Sequence, residues 1–315
     1  MSFKVLLPLP PGAPGAPVRL DLLDGASTAV QRQVRRVGIG GYETPTMATL
    51  LAVAAQQPAP VFFDVGANVG LYAAMVARLF DTEAVVAFEP TPSTAEIARR
   101  IMSANRLDVR VEEVALGAED GTADLYLSAK SDASNSLVEG FKRSTGVVQV
   151  PVRRLDAYVE ATGLVPTLLK VDTETFEPQV VAGGVETLRR HRPAMIVEVL
   201  KRRGHDHGVE LTAAMAGLGY HFHRIDVDLT LAPSEVIEGD DRSPHHDWLL
   251  TPDPVGDDLR AAAGAWRRAL AACGPDTHPR LPIVSTVRGI ARSQGWGAVA
   301  RAARNRLRSA VRSRS

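Results

Sequence analysis

The run Asp64-Val65-Gly66-Ala67-Asn68-Val69-Gly70 carries the clearest chemical signal in this 315-residue chain. An apolar segment precedes it and a helical pattern follows, so it reads as a strand ending in an acid, a glycine turn and a helix start. Such a turn lets a ligand approach the backbone closely, because glycine has no Cβ to hold it off. It also aims helix N-terminal amides at a negative group. Asn68 stands where the dinucleotide pattern Gly-x-Gly-x-x-Gly has its second glycine. A pyrophosphate needs that glycine, so the turn suits a nucleoside-like ligand without one. Glu89 closes the next strand, in Ala87-Phe88-Glu89-Pro90, where a carboxylate can accept hydrogen bonds from both ribose hydroxyls.

A second set of candidates lies further along. Asp172 and Glu174 follow an apolar strand at 168–171, and in open α/β sheets ligands sit beyond the carboxyl ends of the strands. Lys170 beside them reads either as a structural ion-pair partner or as a catalytic cation. If the strand at 247–251 runs antiparallel, its beginning shares that rim and brings His245, His246 and Asp247 to it. His246 titrates near neutral pH and could act as a base; the alternative is a polar loop before a buried Trp248. His205-Asp206-His207 is another rim candidate. His-x-His and Asp-x-Glu spacings can bind divalent ions, magnesium among them, but no closed Cys/His zinc spacing is present and no residue is assigned as a metal ligand. Cys273, the single cysteine, excludes an internal disulfide and reads as a packed thiol.

The elements that must position these residues alternate from residue 61 onward. Strands are expected at 61–65, 84–88, 109–114, 168–171 and 195–199. Helices are expected at 71–80, 93–105 (Ser93 and Glu96 spaced as a capping box) and 178–191. Continuous apolar strands separated by helices indicate a buried, mostly parallel sheet covered on both faces. Segments 125–127 and 147–152 read as an inserted strand pair, and 220–225 and 247–251 as antiparallel neighbours. Before the sheet, Thr44 and Pro45 suit the cap and first position of a helix. Residues 8–17 hold five prolines and read as a loop or arm.

Composition sets outer limits. Formal net charge is zero, which gives no case for a nucleic-acid partner. No run reaches the ~20 apolar residues of a membrane span, the N-terminus is too proline-broken for a signal peptide, and a cytoplasmic location is the default. The last 31 residues hold eight arginines and no acid. There Val299, Ala303, Leu307 and Val311 lie four apart beside basic positions, so the segment reads as a solvated tail or as a helix resting on an anionic inner-membrane surface or an acidic partner. The expected organisation is an N-terminal arm over 1–40, a catalytic domain over 41–254 and a helical, arginine-rich extension over 255–315. Oligomeric state leaves no trace in the sequence.

Taken in order, the blocks resemble the FkbM-type methyltransferases. These are Asp64–Gly70, Phe88-Glu89-Pro90-Thr91-Pro92, Asn105, Val114-Ala115-Leu116-Gly117, Ser134-Asn135-Ser136-Leu137, Val152-Arg153-Arg154-Leu155-Asp156, Leu169-Lys170-Val171-Asp172-Thr173-Glu174 and Ile196-Val197-Glu198. The resemblance spans roughly 41–250. It implies a class I, Rossmann-like, doubly wound seven-stranded sheet with one antiparallel strand. It also implies S-adenosyl-L-methionine as cofactor and methyl transfer to a hydroxyl of a sugar, glycan or secondary metabolite. On that reading Asp64, Gly66, Ala67, Asn68, Gly70 and Glu89 hold the cofactor, Val114 and Ala115 lie near its adenine, and Asp172, Glu174 and His246 serve the acceptor. Methyl transfer needs alignment, which can contribute up to ~7–11 kcal/mol, and a base, which contributes ~10²–10⁴-fold. The family usually continues Lys-x-Asp-x-Glu-Gly-x-Glu, whereas this chain has Thr175 at the glycine, so the turn after Glu174 is expected to differ. Two rival readings are a nicotinamide-dependent oxidoreductase and a non-catalytic binding module on the same fold. Asn68 and the lack of a Tyr-x-x-x-Lys pair count against the first, and the cofactor motif counts against the second.

Overall fold

A computed structural model describes residues 3–12, 18–23, 28–128, 135–138, 143–202, 205–239 and 246–275. His245 and the arginine-rich segment lie outside these residues.

The chain opens with an antiparallel pair, β1 (Lys4–Leu7) and β2 (Val18–Asp21), followed by α1 (Ala29–Val37) and α2 (Thr44–Ala55). This stretch is not the arm expected over 1–40. Val5, Leu7, Leu20, Leu22, Val30 and Val34 are buried in the main core, because the strands alternate apolar and polar residues and need a surface to cover. Asn105 clamps β2 to the body: its Oδ1 accepts from Asp21 N (2.7 Å) and its Nδ2 donates to Asp21 O (2.8 Å). Thr28 and Gln31 form a capping box at α1. At α2 the cap is Glu43 rather than Thr44, and the Thr44 hydroxyl donates back to Gly40 O (2.7 Å).

Strand–helix alternation then runs β3 (Val61–Val65), α3 (Leu71–Leu79), β4 (Ala84–Phe88), α4 (Pro92–Asn105) and β5 (Arg110–Glu112). The expected Ser93/Glu96 box is absent: α4 starts at Pro92 with Thr91 as its cap and no side-chain capping bond. A side sheet of β6 (Ala115–Leu116), β7 (Gly121–Ser128) and β8 (Ser144–Arg153) is inserted next. It leads through α5 (Leu155–Thr162) to β9 (Leu168–Val171). The helix expected over 178–191 is two, α6 (Glu177–Ala182) and α7 (Val185–His191). They part at Gly183, where any side chain would meet Gly117 O at 1.9 Å. The chain continues through β10 (Ala194–Glu198), β11 (Lys201–Arg202), β12 (His205–Asp206), α8 (His207–Ala214), β13 (His221–Arg224), β14 (Pro233–Ser234), β15 (Asp247–Thr251) and α9 (Asp257–Ala271).

The main sheet has the order β14-β13-β15-β10-β9-β3-β4-β5. Seven of these strands make the expected arrangement, with β15 antiparallel to both β10 and β13; two-residue β14 adds an eighth at the edge. Strand order reverses between β3 and β9, which places the crevice for a ligand at their carboxyl ends. Apolar residues alternate between two cores: Phe62, Leu168 and Ile196 face one, while Phe63, Leu169 and Val197 face the other.

Helix α9 belongs to this body rather than to an extension beginning at 255. It packs along α2, buries Leu259, Ala263, Trp266 and Leu270, and sets Trp266 5.9 Å from the Phe80 ring. The described residues through Pro275 cluster as one compact unit. Trp266→Ala should therefore cost about 3–5 kcal/mol in denaturant unfolding, the usual penalty for emptying a buried indole site. A change within 0.5 kcal/mol would restore the view of α9 as an appendage.

Candidate active site

Register builds the floor of the site. Asp64 on β3 pairs with Lys170 on β9, and Glu198 on β10 pairs with Asp247 on β15. These side chains share the face toward α2 and α3, at the rim where the parallel strands end. Lys170 is 3% exposed. Its Nζ lies 2.6 Å from Asp172 Oδ2 and 4.7 Å from the Tyr72 ring centroid. Burial alone would lower its pKa, but Asp172, Glu43, Asp64 and Asp247 outweigh that and raise it. Lys170 is a charged structural centre.

The acids around it respond in turn. Desolvation pushes Asp64 up to about 6 and Asp247 up to about 7, Lys170 opposing in both cases. Glu43 is raised by burial while accepting from the Tyr72 hydroxyl (2.8 Å). Asp247 accepts from the Thr46 hydroxyl (2.5 Å). Glu198 is raised well above the carboxylate range by burial and then by Asp172, Glu174, Asp247 and Glu177. Its Oε2 is withdrawn from solvent with no hydrogen-bond partner among the described residues.

Above this floor lies a cavity lined by Gly66, Asn68, Phe88, Glu89, Val114, Ala115, Leu116, Leu125, Asp172, Glu174 and Glu198. Tyr42 and Glu43 line it as well, as do Ala29, Val30 and Gln33 from α1. Among the described residues, five lining side chains are carboxylates (Glu43, Glu89, Asp172, Glu174, Glu198) and none is a lysine, arginine or histidine. Glu89 is fixed from two sides: Oε2 accepts from Asn68 N (2.9 Å) and Oε1 from Thr91 N (2.8 Å). Gly66, at φ +78, comes so close to the β9 loop that a Cβ would meet Asp172 O at 1.8 Å.

Not every residue singled out in the sequence reaches this cavity. Asp64 is fully buried beneath it, where Oδ2 accepts from Ala73 N (3.0 Å) and holds the start of α3. Ala67 and Gly70 do not line it either. The amides expected to meet a negative group are spent internally: Gly66 N and Ala67 N donate to Phe88 O (3.0 Å each), Asn68 N to Glu89, and Gly70 N to Ala67 O (2.8 Å). His246 lies outside the cavity lining; its carbonyl accepts from Val199 N (2.7 Å), because antiparallel pairing at the start of β15 engages its backbone. Asp247, not the histidine, enters the charged cluster. The residues missed were Tyr42, Glu43 and Glu198. Glu198 closed the last family-like block, while Glu43 sits in no motif.

The turn after β9 is shaped by Glu177. Its Oε1 accepts from Thr173 N (2.8 Å), the Thr173 hydroxyl (2.8 Å) and Thr175 N (3.3 Å). Glu174 and Thr175 consequently take positive φ, 56° and 84°. Ser136 donates to Glu174 O (2.8 Å) and closes the segment 135–138 over the turn.

The family model for the methyltransferase FkbM domain matches residues 64–222. The chain belongs to the FkbM methyltransferase family. It is 30% identical over 191 residues to the 2-O-methyltransferase NoeI of Sinorhizobium fredii, an alignment covering 54% of this chain and 77% of that protein. It is 29% identical over 143 residues to Methyltransferase 1 of Beauveria bassiana, covering 38% of this chain and 56% of that one. A solved FkbM methyltransferase from Methylobacillus flagellatus KT aligns over 62% of this chain and 44% of its own, at 14% identity and a TM-score of 0.42. This chain is therefore a methyltransferase, and S-adenosylmethionine is its methyl donor. Among the described residues no helix is long and apolar enough to cross a membrane.

Two predictions follow from the charged floor and the turn. An acid with a raised pKa binds its proton more tightly folded than unfolded, so folding stability falls as pH rises from its unfolded value through its folded one. Asp64 and Asp247 should thus make the melting temperature fall between roughly pH 4 and 7, and Asp247→Asn should flatten that slope; an unchanged slope would remove Asp247 from the account. Thr175→Gly should raise stability by about 1 kcal/mol, since a β-branched residue at positive φ stores ~1–3 kcal/mol and glycine costs ~0.5–1 in chain entropy. Thermal unfolding of the variant decides this, and a lower melting temperature would mean the turn is unstrained.

Proposed function

We propose that this methyltransferase transfers a methyl group to a hydroxyl of a neutral sugar, glycan or secondary metabolite. The observation that carries the proposal is a cavity beyond β3, β4, β9 and β10 whose lining, among the described residues, offers carboxylates and no cationic side chain. Such a wall favours a cationic donor and a hydroxyl acceptor, and repels phosphorylated or carboxylated ones. The name of the 2-O-methyltransferase relative points the same way.

The donor set fits the cofactor. Glu89 would accept from its ribose hydroxyls, and the apolar wall of Phe88, Val114, Ala115 and Leu116 suits a flat heterocycle. When bound, S-adenosylmethionine supplies an electrophilic methyl carbon on a sulfonium. Asp64, Ala67 and Gly70 act through the shape of the turn and not by contact. Asp172, oriented by Lys170, and Glu174 face the acceptor. Glu198, whose Oε2 has no hydrogen-bond partner among the described residues, takes the proton of the acceptor hydroxyl in place of His246.

Glu89→Ala should weaken binding of S-adenosylhomocysteine about tenfold or more, the loss expected for hydrogen bonds to a charged group, read by calorimetry; wild-type affinity in the variant would refute the cofactor assignment. Labelled methyl transfer to a panel of methyl glycosides, each tested beside its phosphate or uronate, should favour the neutral members. On an accepted glycoside, kcat should rise with pH as Glu198 ionises, and Glu198→Gln should lower kcat ~10²–10⁴-fold. Retention of that pH limb in Glu198→Gln would assign the base elsewhere.

A further inference from the structure

We propose that His205, His207 and Glu210 form a site for a divalent transition metal of the zinc class. The site is separate from the methyl-transfer cavity; the His-x-His spacing in the sequence is compatible with a divalent ion, and Glu210 completes the set. Neither histidine lines the cavity.

The three side chains converge from β12 and the first turn of α8. Their ligand atoms all lie within 4.8 Å of one another. His205 Nε2 is 3.0 Å from Glu210 Oε1, and His207 Nδ1 is 3.5 Å from Glu210 Oε2. A tetrahedral zinc with bonds of ~2.0–2.2 Å sets its ligands roughly 3.3–3.5 Å apart, so the two separations to Glu210 already lie within a few tenths of an ångström of that, and the imidazole nitrogens lie within 4.8 Å of each other. The two imidazoles stand edge to face with centroids 4.5 Å apart, close enough to share one ion.

A second observation separates this from an ordinary surface ion pair. The His207 side chain is 13% exposed, and its Nδ1 is withdrawn from solvent with no well-formed hydrogen bond among the described residues, only the 3.5 Å approach to Glu210 Oε2. Buried polar atoms are nearly always satisfied, and a metal at the centre of the triad would take that lone pair. The backbone presenting the ligands is held independently of them. Asp206, between the histidines, accepts from Gly208 N (3.0 Å) and Gly239 N (2.8 Å). Gly208 is pressed against Ile237, whose carbonyl a Cβ would meet at 2.5 Å. Asp206 also places a negative charge beside the helix N-terminus, offsetting the dipole that would oppose a cation.

Ligand chemistry selects the metal. Two imidazoles and one carboxylate suit zinc, cobalt or nickel, whereas magnesium prefers an all-oxygen shell. Three protein ligands leave a fourth position for water. The ion would tie β12 to the first turn of α8.

The test uses the full-length, tag-free protein after chelator treatment, so that it depends on neither the cofactor nor an acceptor. Equilibrium dialysis against zinc chloride with elemental analysis should give one zinc per chain and none for magnesium chloride. His205→Ala and His207→Ala should each weaken zinc binding about tenfold or more, and Glu210→Gln should weaken it as well. Cobalt(II) should give the strong visible bands of a tetrahedral site in the wild type and lose them in His207→Ala. Circular dichroism and S-adenosylhomocysteine binding should stay unchanged in His205→Ala, the exposed ligand, which keeps the result readable if His207→Ala misfolds. Failure of the wild type to bind zinc, or equal binding by wild type and His205→Ala, would overturn the proposal.

Discussion

The site depends on one buried ammonium. Lys170 sits under the cavity floor at 3% exposure, and an ion so placed costs several kcal/mol in lost hydration. Its contact with Asp172 at 2.6 Å is worth roughly 6 kcal/mol at an effective dielectric near 20, about what burial of the ion takes away. The Glu43, Asp64 and Asp247 carboxylates tip the balance toward the charged form. Each comes from a different element: the cap of α2, the end of β3 and the start of β15. Lys170 therefore fixes the relative placement of the N-terminal helices, the parallel strands and the one reversed strand. The sheet register that sets Asp64 beside Lys170 and the electrostatics that keep Lys170 charged support each other.

One ammonium cannot neutralise so many acids, and the excess decides what the acids do. Those nearest Lys170 are stabilised by it, while burial keeps Asp64 and Asp247 closer to neutrality. Glu198 is pushed up most, by burial and then by four acids, Asp172 first among them. Neighbouring carboxylates in unlike surroundings are how one site holds an oriented anion and a proton acceptor together. Asp172 and Glu198 sit at the ends of adjacent strands and differ in this way, the first engaged by an ammonium and the second facing the cavity.

Much of this was legible in the sequence, for identifiable reasons. The β3–α3 junction, Glu89 and the β9 end are local patterns in which residue type and spacing dictate geometry. The antiparallel β15 followed from the lack of a helix before it, and it delivered Asp247 to the rim. Other features lay beyond sequence because they depend on tertiary contact. Asp64 and Gly70 look like ligand contacts in the motif, yet one serves Ala73 N and the other begins α3 in a left-handed conformation. Glu43 gains its role only when α2 docks over Lys170. The two family-like blocks at Asn105 and Asp156 are structural: Asn105 holds β2, and Asp156 accepts from Glu186 N and Thr187 N at the start of α7. The boundaries at 40 and 255 failed because proline content and composition report local stiffness, whereas burial of Leu20, Val34 and Trp266 is decided by what they pack against.

Thr175 shows how a departure from a family pattern can be absorbed. The turn after β9 must reverse the chain within a few residues and still present Asp172 and Glu174 to the cavity. A glycine would take positive φ at little cost. Threonine at φ 84° does not, and its hydroxyl oxygen is buried with no hydrogen-bond partner among the described residues. The strained conformation persists because Glu177, itself raised to about 7 chiefly by desolvation, accepts from Thr173 N, the Thr173 hydroxyl and Thr175 N with a single oxygen. Ser136 holds Glu174 O from the other side. Local propensity is thus overridden by a clamp whose energy comes from three hydrogen bonds to one buried carboxyl. The turn keeps its shape without the glycine, and the acceptor-facing acids keep their place.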